Sequence, residues 1–192
     1  MYKLCKTEQS ALRQREMEHG LLAAMQTQRY ETLSVSDLCD QMNIPRKSFY
    51  RYFSGKQGAL YALIDHTFLE YETFSLTGTG REPRTHLREL ETYFHFWKRQ
   101  KSLLDALTKN DLQGLLVMRG VNHAVLDLGI PNRILMQDTD LSKEYAMTFT
   151  VTGLMALILR WYGTNFAMSE EALAAIATEL VTKPLFIPDI SI

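Results

Sequence analysis

Residues 34–53 read SVSDLCDQMNIPRKSFYRYF, and the fold turns on this stretch. Ser34 followed three residues later by Asp37 has the form of a helix N-terminal capping box. Leu38 and Met42 lie about one turn apart and supply the inner face of the helix that Ser34 opens. Cys39 beside Leu38 is small, as a close approach between two helices requires. Four residues on, Asn43 tolerates the left-handed conformation of a tight turn, and Ile44 plugs the core beneath that turn. A second helix runs from about Pro45 to Tyr52, with proline in a first-turn position. Phe49 and Phe53, spaced i and i+4, form its inner face. Two short helices joined in this way are a helix-turn-helix.

The outward residues of the second helix have a chemistry of their own. Arg46, Lys47, Ser48, Tyr50, Arg51 and Tyr52 fall within seven positions. Cations offset phosphate charge and hydroxyls donate to phosphate oxygens. Lys56 stands at the start of the following helix, where backbone N–H groups also favour an anion. The plain alternative is a solvated basic face, and helix-turn-helix shapes also occur in proteins that never touch DNA. Residues 1–56 hold nine Lys/Arg against six Asp/Glu, whereas the remainder holds 12 against 16, within a net charge of −1. A positive N-terminal part on an acidic body suits a polyanion partner for that part alone.

Outward from this motif the chain reads as all-helical, because glycine and proline fall between segments of helical periodicity and no alternating strand runs appear. A first helix covers about Ser10–Gln28, with Met17, Leu21, Leu22 and Met25 on one face. A fourth starts near Lys56 and reaches about Phe74, carrying Leu60, Leu63, Ile64, Phe68 and Tyr71. TGTGREP (77–83) reads as a turn and boundary. Helices follow at about 84–99, at 101–108 and from near Asp111. GIPN (129–132) breaks the chain, and two helices close it at about 141–162 and 169–182. The acidic trio Asp138, Asp140 and Glu144 reads as a turn and helix cap. The tail PLFIPDISI is apolar enough to pack on the body or on a partner subunit. Two cysteines 34 residues apart, with no CxxC pair, fit a reducing cytoplasm. The uncharged run Tyr145–Leu159 is interrupted by three threonines. It is too short and too polar for a membrane span and reads as a buried helix.

The run TLSVSDLCDQMNIPRKSFYRYFSGKQGALYALI resembles the N-terminal domain of TetR-type transcriptional regulators. The matching elements are Ser34-Val35 with Asp37-Leu38-Cys39, the turn Asn43-Ile44-Pro45, and Phe49-Tyr50-Arg51-Tyr52-Phe53 with Lys56 and Leu60. The strong part covers about residues 30–65; beyond it only helix order and length agree. The resemblance implies a three-helix DNA-binding domain at 1–55 and a larger helical ligand-binding and dimerisation domain at 56–192, with residues 56–75 as the linking helix. It implies phosphate contacts from Ser34 or Ser36, Tyr50, Tyr52 and Lys56. Arg46, Lys47 and Ser48 become the candidates for base readout, since Arg to guanine is the commonest specific contact. Three positions depart from the family pattern. Lys47 replaces a usual glycine, Pro45 a common serine, and Arg29 the glycine that usually ends the first helix before Tyr30.

The second half is read the same way. YFHFWKRQ (93–100) packs four aromatics into five positions; such a stripe is most often core, and the resemblance implies that it also lines a cavity for apolar or aromatic effectors. Tyr93, Phe94, Trp97, Met118, Met147 and Thr150 are the candidate ligand-binding residues. The last two helices carry broad apolar faces suited to a four-helix contact between two copies. Leu154, Leu157, Ile158 and Trp161 on one, with Leu173, Ile176 and Leu180 on the other, are the candidate dimer interface. No phosphate-binding glycine loop, nucleophile elbow, metal-ligand spacing or cofactor motif is present. The absence of these motifs argues against an enzyme, and the resemblance implies a regulator that binds palindromic duplex DNA as a dimer and answers to a small molecule. A repressor is the leading expectation; a regulator of this type that activates, or that responds to a protein partner rather than a small molecule, is the alternative, because repression and activation use the same DNA contact.

Overall fold

The computed structural model describes residues 1–77, 85–127 and 141–182. Most of the turn expected at 77–83, the break at 129–132, Asp138, Asp140 and the tail 184–192 lie outside the described residues. Within them the chain is all-α, and the sole β-type pairing is an isolated antiparallel bridge between Tyr2 and Phe53.

Helix α1 spans Glu8–Thr27. It starts two residues earlier than its apolar pattern suggests because Thr7 is the cap and accepts from the Ser10 amide. Helix α2, Val35–Gln41, is capped by Ser34. Helix α3 covers Arg46–Tyr52, with Pro45 as the N-cap residue rather than inside the first turn. Helix α4, Lys56–Thr77, is 22 residues long, or about 33 Å at 1.5 Å per residue. Then come α5 (His86–Arg99), α6 (Lys101–Lys109) and α7 (Gln113–Asn122), the last running into a π-helical turn at His123–Asp127. Helices α8 (Leu141–Gly163) and α9 (Glu170–Thr182) close the fold. Their corner holds Asn165 and Phe166 at φ 52° and 56°. The Trp161 indole N–H donates to the Met168 carbonyl across it at 2.8 Å.

One apolar core runs the length of the described structure. At one end Leu21 and Met25 of α1, Leu38 of α2 and Phe49 of α3 close on Leu60 and Ile64 of α4. At the other, Phe68 of α4 meets Trp97 of α5 at 5.3 Å between ring centroids, and Phe94 meets Trp161 of α8 at 5.9 Å. Helix α4 contributes side chains to both ends.

The end of α1 is docked on α6 by polar groups. The Asn110 side chain accepts from the Tyr30 amide at 2.5 Å and donates to the Ala106 carbonyl at 2.7 Å. Arg29 donates to the Lys109 carbonyl, Lys109 to the Gln26 carbonyl, and Gln26 to the Ser102 carbonyl. Arg29 thus has a local task here: it ties the first helix to the body.

Helix α8 is one-sided, which corrects the reading of Tyr145–Leu159 as a buried helix. Met155, Ile158 and Trp161 face the core, whereas Tyr145 and Phe149 are exposed. The same geometry divides the residues expected at a dimer interface. Ile158 (0% exposed), Trp161 and Leu173 are buried within the protomer, where they pack towards α5, and Leu154 and Leu157 are half-buried. Ile176 and Leu180 are exposed as expected. No described helix is long and apolar enough to cross a membrane.

Candidate nucleic-acid interface

The α2–α3 corner is built by short-range chemistry. Ser34 Oγ accepts from the Asp37 amide at 3.1 Å, and the Asp37 carboxylate accepts from the Ser34 amide at 2.9 Å. These hydrogen bonds to Ser34 hold the Asp37 carboxyl below its usual range. Asn43 takes φ 52°, the left-handed conformation that its sequence position implies. The Ile44 amide then closes back on the Cys39 carbonyl at 2.9 Å. Leu38, Cys39, Phe49 and Phe53 are all buried, with the Phe49 and Phe53 rings 5.0 Å apart.

This core fixes what α3 presents outward. Arg46, Lys47, Tyr50 and Arg51 are exposed, Tyr50 by 52%, and Ser48 is half-buried beside them. Ser34 is exposed and Ser36 half-exposed at the start of α2. Because Ser34 Oγ serves only as an acceptor in the cap, its hydroxyl proton remains for an outside acceptor. Replacing Ser34 with Ala removes one half of the box. It is expected to cost about 1 kcal/mol of stability, readable in urea unfolding, together with a weaker hold on any anion at this end.

Two expected contacts are placed otherwise. Tyr52 is only 6% exposed, because Phe49, Tyr52 and Phe53 share one face of α3 and that face is inward. Lys56 is turned into the protein. Its ammonium donates to the Tyr30, Glu31 and Leu33 carbonyls at 2.7, 2.9 and 2.7 Å and lies 4.7 Å from the Tyr30 ring centroid. Three acceptors take its three protons, so Lys56 holds the α1–α2 connection in place and leaves nothing to offer a phosphate. Burial pushes the Tyr30 phenol up to about 12.

A further part of this surface lies where sequence reasoning found no role, in residues 1–6. The chain before α1 runs beside the end of α3. The Lys3 amide donates to the Tyr52 carbonyl at 2.9 Å, and Ser54 donates to the Met1 carbonyl through both its amide (3.0 Å) and its hydroxyl (2.8 Å). Tyr2 donates to Asp65 of α4 at 2.7 Å; burial, then this hydrogen bond, raises its phenol well above the ordinary value. Asp65 in turn accepts from Arg119 of α7, whose Nε lies 2.6 Å away and whose Nη2 completes a two-point pair. The sequence trace of this packing is Gly58. A Cβ there would stand 2.4 Å from the Met1 carbonyl oxygen, so no larger residue fits without moving the segment.

The candidate ligand residues do not gather. Tyr93, Phe94 and Trp97 are buried core, whereas Met118 is 61% exposed on α7 and Met147 is exposed on α8; Thr150 is half-buried. Two surface clefts are formed by described residues. One, of about 560 Å³, lies between residues 4–15 and α4, lined by Cys5, Arg15, His66 and Phe74 among others. The other, of about 290 Å³, lies between α5 and α9, around His95 and Glu170. Neither includes any of the six. Trp97 is nevertheless unusual: its indole N–H is buried and has no hydrogen-bond partner among the described residues.

No family profile matches the sequence and no curated protein matches it. Solved structures do match in fold. A TetR transcriptional regulator from Streptococcus agalactiae superposes with TM-score 0.61 at 18% identity, over 90% of this chain and 95% of that one. The fatty acid degradation regulator FadR from Bacillus halodurans gives 0.59 at 14%, over 95% and 98%. The dihydroxyacetone kinase operon activator DhaS gives 0.57 at 19%, over 89% and 94%. The chain therefore has the fold of these regulators over most of its length, at identities that speak to architecture alone.

Proposed function

We propose that this protein is a DNA-binding transcriptional regulator of the TetR type that grips duplex DNA through α3 and the start of α2. The observation that carries the reading is the exposed set Arg46, Lys47, Tyr50 and Arg51 on a short helix whose opposite face is locked into the core. A rigid helix with cations and a phenol outward suits a major groove, with Arg46 and Lys47 reading bases and Tyr50 and Arg51 steadying the backbone. Residues 1–55 form the DNA-binding domain in this reading, and residues 56–192 the regulatory domain, with α4 passing between them. Selection of duplexes by the purified full chain from a random-sequence library tests it. Recovery of a palindromic consensus is the expected result; recovery of no consensus overturns the reading.

Two-fold symmetry comes from the outward faces of α8 and α9. Phe149 (63% exposed) and Thr152, Gly153 and Ala156 beside it on α8, with Ile176 and Leu180 on α9, present apolar and small side chains that a second copy would cover. Phe149→Glu places a charge in that contact. It is expected to convert a dimer to a monomer in sedimentation equilibrium while the circular dichroism of the helices is retained.

The regulatory signal is a small molecule with an apolar or aromatic body and a hydrogen-bond acceptor. The Trp97 indole, without a hydrogen-bond partner among the described residues, supports this, because a buried donor left unsatisfied costs about 1–3 kcal/mol and a ligand acceptor would relieve it. Repression by occlusion of the operator is the simplest outcome of such binding. Activation has support from the operon activator DhaS among the structural matches. A reporter carrying the selected operator, measured with and without the gene, separates the two.

A further inference from the structure

The segment before α1 is held at the end of the recognition helix more firmly than a leader to a helix needs. Its Lys3 amide is bonded to Tyr52, its Met1 carbonyl to Ser54 and its Tyr2 phenol to Asp65, and Gly58 makes room for it. Between these anchors and α1, Lys3 and Lys6 are exposed. Lys3 pairs with the residue that follows Arg51, so the cations of the segment begin where those of α3 end. Residues 1–7 contain no Asp or Glu, and neither do residues 41–64, so both stretches carry cations and no carboxylates of their own.

We infer that residues 1–6 are a second DNA-contacting element, in which Lys3 and Lys6 lie along the phosphate backbone flanking the groove that α3 occupies. The inference rests on the DNA-binding reading above and extends it to residues outside the helix-turn-helix. A pre-ordered segment loses little entropy on contact, so its cations add affinity without ordering cost. Phosphate contacts carry no base information. The segment therefore strengthens binding to every duplex alike, whereas Arg46 and Lys47 set preference.

The test uses the full chain and a duplex carrying the consensus it selects, followed by fluorescence anisotropy across a series of KCl concentrations. Removing one cation from a phosphate should flatten the slope of log Kd against log[KCl] by about one. Lys3→Gln with Lys6→Gln is expected to weaken binding at low salt and to flatten the slope by about two per subunit. The ratio of affinities for the selected and a scrambled duplex stays unchanged. Lys3→Arg with Lys6→Arg restores the wild-type slope, because charge rather than lysine itself is at work. A wild-type slope in the double glutamine variant, with the wild type binding normally, overturns this inference alone. A loss of affinity that is equal at all salt concentrations overturns it too, since that is the signature of a structural effect. A wild type that selects no duplex removes the DNA-binding reading and this inference with it.

Discussion

Asp65→Ala is expected to lower the melting temperature by about 6–12 °C, as the following magnitudes imply. Asp65 is buried and carries two partners at once, the Tyr2 phenol and the Arg119 guanidinium. Its removal leaves a largely buried arginine without its carboxylate and a tyrosine hydroxyl without its acceptor. Breaking a buried pair by deleting one partner costs about 3–5 kcal/mol. Arg119 keeps some contact with solvent and lies against the Tyr61 ring, 4.9 Å from its centroid, so the lower end applies. A domain of this size loses about 2–4 °C for each kcal/mol. The complementary change is informative. Tyr2→Phe keeps the Asp65–Arg119 pair and removes one hydrogen bond, so it should cost about 1 kcal/mol. Differential scanning calorimetry on both variants reads the difference; equal shifts would mean that the ion pair contributes nothing.

The second large effect is on DNA. Arg46→Ala with Tyr50→Ala removes one cation and one phenol from the exposed side of α3 and leaves the buried Phe49, Tyr52 and Phe53 in place. A base contact is worth about 1–3 kcal/mol and a phosphate contact somewhat less. The pair should therefore weaken operator binding by about 100-fold or more, with thermal stability within about 0.5 kcal/mol of wild type, as for surface changes generally. Operator binding as tight as wild type would sink the assignment of α3 as the reading helix. Tyr52→Phe is the internal contrast. Because Tyr52 packs inward, its effect should appear in stability before it appears in DNA affinity.

What the sequence disclosed follows the range of the interactions. The Ser34–Asp37 box, the left-handed Asn43 and the inward Phe49 and Phe53 all depend on residues within a few positions of one another, and each stands as its local chemistry implies. Tyr52 was legible by the same rule: it shares the face of Phe49 and Phe53, and that spacing outweighs a hydroxyl's suitability for phosphate. Lys56 was not legible. At the start of a helix a lysine reads as an anion ligand, and only the path of residues 30–33 brings three carbonyls to it. The Tyr2–Asp65–Arg119 chain joins residues 63 and 54 positions apart, beyond any periodicity. The apolar faces of α8 and α9 were visible as apolar, but which side turns inward depends on the helices they pack against: Phe94 of α5 meets Trp161, and Ile158 and Leu173 are buried within the protomer. The six candidate ligand residues were a choice by residue type, and type does not say where a cavity opens.

The docking of α1 on α6 bears on how portable residues 1–55 are. The turn that leaves α1 borrows its hydrogen-bond acceptor from Asn110, and Arg29 and Gln26 borrow theirs from carbonyls at Lys109 and Ser102. The two halves therefore share a hydrogen-bonded seam that neither owns. A chimera that grafts residues 1–55 onto another helical body inherits the helix but not its stop. The recipient must supply an amide side chain at the place of Asn110, or the graft carries a frayed first helix. The seam makes the join between the two halves a matter of matched parts, so they are expected to change together or not at all.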